Sequence, residues 1–182
     1  MKFITTSIPD VILIEPQVFG DERGFFMETY HQEKFSAAGI NYNFVQDNHS
    51  RSTYGTLRGI HYQIRHTQGK LVRAIAGEIF DVAVDLRRSS PTFGKWAAAR
   101  LSAENKSLLW VPPGFGHAFY TLSDWAEVIY KATDFYSPAD ERSIIWNDAL
   151  IGIQWPENIQ DKLLLSQKDA QGVSLSDAEV YP

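Results

Sequence analysis

Short apolar and alternating runs, broken by turn residues, dominate the chain. Val11–Glu15 is a brief apolar run and Gly24–Tyr30 is aromatic. Phe44–Ser52, Leu57–Gln63 and Leu71–Ala76 follow at short intervals. Across Glu78–Leu86, Ile79, Val82 and Val84 interleave with Asp81 and Asp85, and Phe80 falls out of step. Trp96–Leu101, Ser107–Val111, His117–Leu122, Glu127–Phe135 and Ser143–Trp146 complete the set. Many short strands with regular turns predict an all-β sandwich or barrel. His31–Ala38, ended by Gly39, is the one segment that reads as a helix. The polar stretch Asp161–Pro182 is expected to wrap the strands. There is no internal repeat, low-complexity tract or Gly/Ser linker, and 182 residues suit a single domain over residues 1–182.

The punctuation carries direction as well as breaks. Ser90-Pro91-Thr92-Phe93-Gly94 closes one strand. Pro112-Pro113-Gly114-Phe115-Gly116-His117 is a stiff turn that delivers a histidine at the start of the next. Proline presets φ and glycine tolerates positive φ, so such a turn can aim a side chain.

Composition narrows the function. With no cysteine, disulfides, zinc–thiolate sites and thiol nucleophiles are excluded, and a reducing compartment fits. Met1–Val11 lacks the apolar core of a signal peptide, and no run approaches the roughly 20 apolar residues of a membrane helix. A cytoplasmic protein without a membrane partner is expected. The net charge of −5 argues against nucleic acid as a partner, which needs a basic face. A small anionic ligand remains open, because a few local Arg and Lys suffice.

The polar residues fall in a suggestive place. Gln46, Asn48 and Ser50 share one strand face at i, i+2 and i+4. Arg58, His61, Gln63, Lys70 and Arg73 stand on the next strands. Either these are solvent faces or they line a polar cavity, and three consecutive strands with few glutamates fit a barrel interior that holds a polar ligand. Arg58 and His61 are three residues apart, so a regular pleat puts them on opposite faces. A bulge at Gly59 would re-aim one of them. A metal site is the first rival, with His61, His66 and His117 as possible ligands. However, His61-Tyr62-Gln63 offers glutamine where a His-x-His pair is wanted, and no glutamate stands at suitable spacing. No metal and no cofactor are expected.

The ordered motifs add more. They are Phe19-Gly20-Asp21-Glu22-Arg23-Gly24-Phe25-Phe26, Gln46-Asp47-Asn48-His49-Ser50, Gly55-Thr56-Leu57-Arg58-Gly59-Ile60-His61-Tyr62-Gln63 and Gly69-Lys70-Leu71-Val72-Arg73. Phe80–Arg87, Pro113–His117, Tyr130-Lys131-Ala132-Thr133, Tyr136-Ser137-Pro138 with Glu141, Trp146-Asn147-Asp148 and Ser166-Gln167-Lys168-Asp169 follow. In this order and spacing the chain resembles the dTDP-4-dehydrorhamnose 3,5-epimerase family, roughly from Phe19 to Asp169. The turn reads Gly116-His117-Ala118 where the family has alanine before and glycine after the histidine, and Pro112-Pro113 doubles a single proline. Neither departure falls on a chemical position.

The resemblance implies a cupin-type jelly-roll β-barrel with few short helices, a dTDP-sugar substrate, and a homodimer that exchanges N-terminal strands. It also implies roles. His61 matches the general base, Asp169 its carboxylate partner, Tyr130 the general acid on the opposite sugar face, and Lys70 the group beside the ketone oxygen. Arg23, Glu28, Gln46, Asp47, Asn48, Arg58, His117, Glu141 and Lys168 match positions that contact the nucleotide sugar, as does Lys70. Tyr136 matches an aromatic stacked on thymine. The chemistry agrees: a base with pKa near 7 suits a proton α to a ketone, and a phenol can return one on the other face. Rival readings are inversion of C3 or C5 alone, a metal-dependent cupin enzyme, and a sugar-binding module without catalysis.

Overall fold

The computed structural model describes residues 1–160 and 162–182; Asp161, where the expected wrapping tail begins, lies outside the described residues. The strands are β1 (Lys2–Thr5), β2 (Ile12–Glu15), β3 (Val18–Asp21), β4 (Gly24–Met27), β5 (Gln46–Thr53), β6 (Leu57–Gln63) and β7 (Lys70–Ala76). They continue with β8 (Glu78–Asp85), β9 (Trp96–Ser102), β10 (Leu108–Val111), β11 (Phe115–Thr121), β12 (Trp125–Ala132) and β13 (Glu141–Ser143). Two short helices, α1 (Gln32–Ala37) and α2 (Gln167–Ala170), accompany them.

One sheet runs β1-β2-β10-β7-β12-β5 and the other β13-β6-β11-β8-β9; β3 and β4 form a separate hairpin. The ladders are antiparallel, as in β12 with β5 and β11 with β8. The two sheets face each other over one apolar core. Val72, Ala74, Leu109, Val111 and Val128 come from the six-stranded sheet, and Ile79, Ala83, Leu101 and Phe119 from the five-stranded one. Each of the larger side chains among these (valine, leucine, isoleucine or phenylalanine) contributes roughly 1.5–3 kcal/mol when taken from water. This is the jelly-roll architecture expected, with its few helices.

Strand positions agree closely where one face is wet and the other dry. In β5 the half-buried Gln46, Asn48 and Ser50 alternate with exposed Asp47, His49 and Arg51. The expected helix matches α1 within a residue at each end, and Phe35 anchors it on the outer side of the six-stranded sheet against Leu71, Leu108 and Trp110. Two strands escaped the pattern. All four residues of β3 are exposed and β1 is nearly so, so neither shows the apolar spacing that marks a strand. The last predicted strand, Ser143–Trp146, is displaced to Glu141–Ser143.

The alternation across β8 suggests one wet face, but both faces are covered. Asp81 and Asp85 are fully buried inside. Phe80, Val82 and Val84 pack outward beneath Ile151, Leu175, Ala178 and Trp155. The C-terminal segment therefore does wrap the barrel, tied by bridges at Thr56–Leu164, Ile144–Val173 and Arg87–Tyr181. Among the described residues, no helix is long and apolar enough to cross a membrane.

Candidate active site

The site is built around an irregularity in β6. Strand β11 pairs His117 with His61 but Phe119 with Arg58, so three steps on β6 match two on β11. The extra residue is the bulge expected at Gly59, and it turns Arg58 and His61 to the same inner face. Only glycine fits there. Its φ is +123°, and a Cβ would sit 2.4 Å from that of Ala118. The outward Ile60 and Tyr62 pack under the C-terminal segment, which leaves His61 facing in.

That segment then reaches back. Ser166 caps α2 by accepting from the Asp169 amide at 3.1 Å, and its hydroxyl donates to Asp169 Oδ2 at 2.6 Å. Asp169 Oδ1 accepts from His61 Nε2 at 2.5 Å and from the Gly59 amide at 3.2 Å. Burial pushes the Asp169 carboxyl up, but these hydrogen bonds outweigh it and hold it down at about 2. Burial also lowers the pKa of His61, with the bond to Asp169 working partly against it. At neutral pH the imidazole is thus an uncharged base beside a charged carboxylate.

Opposite stand groups from the other sheet. Tyr130 lies on the inner face of β12, paired with Asn48 on β5 and Val72 on β7. Lys70 opens β7, its ammonium 5.8 Å from the Tyr130 ring centroid. Burial brings Lys70 down to about 8, while Asp81 and Glu141 favour its charged form and Lys168 opposes it. Burial, with Glu141 adding to it, raises Tyr130, so the phenol keeps its proton. His61, Lys70 and Tyr130 share one cavity with His117, Arg58 and Asn48, and open on the other side toward Tyr136 and Glu141.

At the mouth, Gln46 Oε1 accepts from the Tyr136 amide at 3.0 Å, and the Tyr136 hydroxyl donates to Glu141 at 2.8 Å. Lys168 pairs with Glu141. Arg58 donates to Ser52 Oγ at 3.0 Å. The fold therefore gathers His61, Lys70, Tyr130, Asp169, Gln46, Asn48, Arg58, His117, Tyr136, Glu141 and Lys168. It does not bring Arg23, Glu28 and Asp47 to this cavity within one chain. Arg23 pairs with Asp21 on the hairpin, Glu28 with Lys34, and Asp47 with Lys131 on the outer face. Arg73, read above as one of the polar inner set, is also turned outward, because Lys70, Val72 and Ala74 occupy the inner face of β7.

The metal alternative asked His66 and His117 to join His61. His66 stands in an exposed loop beside Asp134, and His117 is bonded to Asp81. The Gln63 amide donates to the carbonyls of His66 and Phe135. Among the described residues, no group of three or more His, Cys, Asp or Glu is placed to hold a metal ion.

Sequence reasoning missed Asp81, the buried partner of His117, and the aromatic walls Phe115 and Phe119. The one available signal was an aspartate in a strand otherwise rich in valine, alanine and isoleucine.

A jelly roll whose facing sheets carry a His–Asp pair, a protonated phenol and a buried ammonium around one polar cavity is an acid–base enzyme of the cupin-like kind. The chain belongs to the dTDP-4-dehydrorhamnose 3,5-epimerase family, whose profile matches residues 5–177. It is 60% identical to the dTDP-4-dehydrorhamnose 3,5-epimerase of Pseudomonas aeruginosa over the full length of both chains. It is 57% identical to that of Shigella flexneri, covering 100% of this chain and 99% of the other. Its fold superposes with a TM-score of 0.95 on the dTDP-6-deoxy-D-glucose-3,5-epimerase of Legionella pneumophila, solved in complex with dTDP-4-keto-L-rhamnose. That pair is 49% identical, over 98% of this chain and 94% of the other.

Proposed function

We propose that this chain, acting as one jelly-roll domain over residues 1–182, inverts C3 and C5 of dTDP-4-dehydro-6-deoxy-D-glucose to give dTDP-4-dehydro-L-rhamnose. The observation that carries the reading is the His61–Asp169 pair at 2.5 Å, set across one cavity from the Tyr130 phenol. Epimerisation needs a base on one face of the sugar and an acid on the other.

The Nε2 proton is held by Asp169, so the lone pair of Nδ1 takes the proton from the carbon beside the ketone. The C–H electrons move into the ring and the C4 oxygen becomes an enolate. Lys70 stabilises that charge; one preorganised donor is often worth about 3–4 kcal/mol. The enolate collapses, and the carbon takes a proton from Tyr130 on the opposite face. Imidazolium and phenolate are then reset by proton exchange, and nothing is oxidised or reduced. One ketone flanks both carbons, so the same groups serve each in turn, and this chemistry calls for no cofactor. Gln46, Asn48, Arg58, His117, Glu141 and Lys168 would hold the sugar nucleotide, with Tyr136 against the base.

The exchanged homodimer belongs to the same proposal, placed in the cytoplasm. Its support is the hairpin β3–β4, which leaves Phe19, Phe25 and Phe26 exposed and carries Arg23 outside its own cavity. Reaching a second copy would give this hairpin, and with it Arg23, a place at the partner's cavity. Light scattering at twice the chain mass is the expected result.

Incubation with the 4-keto sugar nucleotide in deuterated water tests the chemistry. Deuterium is expected at both C3 and C5. Label at one carbon would reduce the enzyme to a mono-epimerase, and none would remove this activity. Tyr130→Phe should lower product formation about 10²–10³-fold while leaving proton loss to His61 measurable as isotope washout.

A further inference from the structure

The cavity wall holds a buried carboxylate to which neither the sequence pattern nor the family resemblance assigns a task. Asp81 is fully buried on β8. Its Oδ1 accepts from His117 Nε2 at 2.8 Å, and its Oδ2 is buried with no partner among the described residues. A carboxylate is costly to bury unless it is well paired. The same face of β8 uses alanine at Ala83, so space alone does not call for an acid here. His117 in turn stands directly across the ladder from His61, with its ring centroid 6.5 Å from that of Tyr130. It lines the cavity with Lys70 and Arg58, and its Nδ1 makes no hydrogen bond among the described residues.

We propose that Asp81 is a positioning residue: by accepting from Nε2 it keeps that nitrogen protonated, stops the ring from turning over, and leaves Nδ1 of His117 as the nitrogen presented to the sugar. An imidazole without such a partner is free to exchange tautomers and to flip, and a carboxylate on the far nitrogen removes both freedoms. The inference rests on the epimerase reading of the cavity. Asp81 is also one of the two carboxylates, with Glu141, whose charge opposes the loss of the Lys70 proton.

Nitrogen-15 spectra of the histidine side chains of the wild-type protein decide the first half without any variant. His117 Nε2 should carry the proton, and Nδ1 should be the nitrogen that responds to added dTDP-glucose, which lacks the 4-keto group. A wild-type spectrum with the proton on Nδ1 and none on Nε2 overturns the proposal. Asp81→Leu, close in shape, should lower kcat/KM about 10–100-fold. Added to His117→Phe it should cost nothing more, because it acts through that ring. A loss below twofold, or losses that multiply in the double variant, also overturns it. Failure of the epimerase reading is separate: it would appear as no deuterium exchange by the wild-type enzyme, whatever the state of His117.

Discussion

Two histidines face each other across one rung of the same ladder, each bonded through Nε2 to a buried aspartate, yet the two pairs are built by different means. The partner of His117 comes from the adjoining strand, so the sheet alone assembles that pair. The partner of His61 comes from 108 residues further along, on a short helix of the wrapping segment. The His61 side chain is 26% exposed and that of His117 is 8%. Asp169 has its oxygens matched by a ring N–H, a backbone amide and a hydroxyl, whereas Asp81 is left with a bare oxygen. On the proposed reading the difference separates two tasks. His61 as a base must be reached by its substrate, and its carboxylate must be satisfied so that it stays charged. His117 as a binding imidazole needs only to be held still.

The comparison can be broken most strongly at His61. His61→Ala should reduce kcat by about 10⁴-fold, the upper range for a general base, with affinity for dTDP-glucose retained in calorimetry. If that variant turns over like the wild type, the base is elsewhere. Gly59→Ala should strike both pairs at once. Its Cβ would meet Ala118 Cβ and lie 2.6 Å from the His117 carbonyl oxygen, at a φ that disfavours side chains. A loss of about 3 kcal/mol in denaturant unfolding is expected.

Ser166→Ala should separate the pairs. It removes the cap of α2 and a bond to Asp169, worth about 1 kcal/mol, and should slow turnover severalfold. The His117 nitrogen shifts should not move. The pH profile gives the finest test. The base must be neutral, so kcat/KM should rise through an acid limb below the ordinary histidine value of 6.5. The ammonium must be charged, so activity should fall as pH climbs through about 8. Replacing Lys70 by Met should remove the alkaline limb, and a limb that stays assigns it to another group.

How much of this was legible depended on what each residue type reveals by itself. Strands with one wet face, such as β5, announce themselves through alternation. So did the bulge, because Arg58 and His61 stood at odd spacing around a glycine. β3 was invisible because none of its residues is buried. Asp81 was missed for the opposite reason: an aspartate in an alternating strand draws no attention, and only the wrapping segment on the far side shows that β8 is dry on both faces. Asp169 carried no local signal. Its meaning depends on a chain reversal that no spacing encodes, and the motif resemblance alone pointed to it. Arg73 was misplaced because a strand's register decides which residues share the face of Lys70.

The long reach from His61 to Asp169 has a consequence for the order in which the enzyme comes into being. A growing polypeptide makes every strand of both sheets, and both members of the His117 pair, before it makes Asp169. Until then the face formed by Ile60, Val82 and Val84 also lacks its cover of Leu175 and Ala178. On the proposed reading the last segment to be made completes the core and the catalytic base together, and a chain cut short before residue 169 should lose both stability and activity.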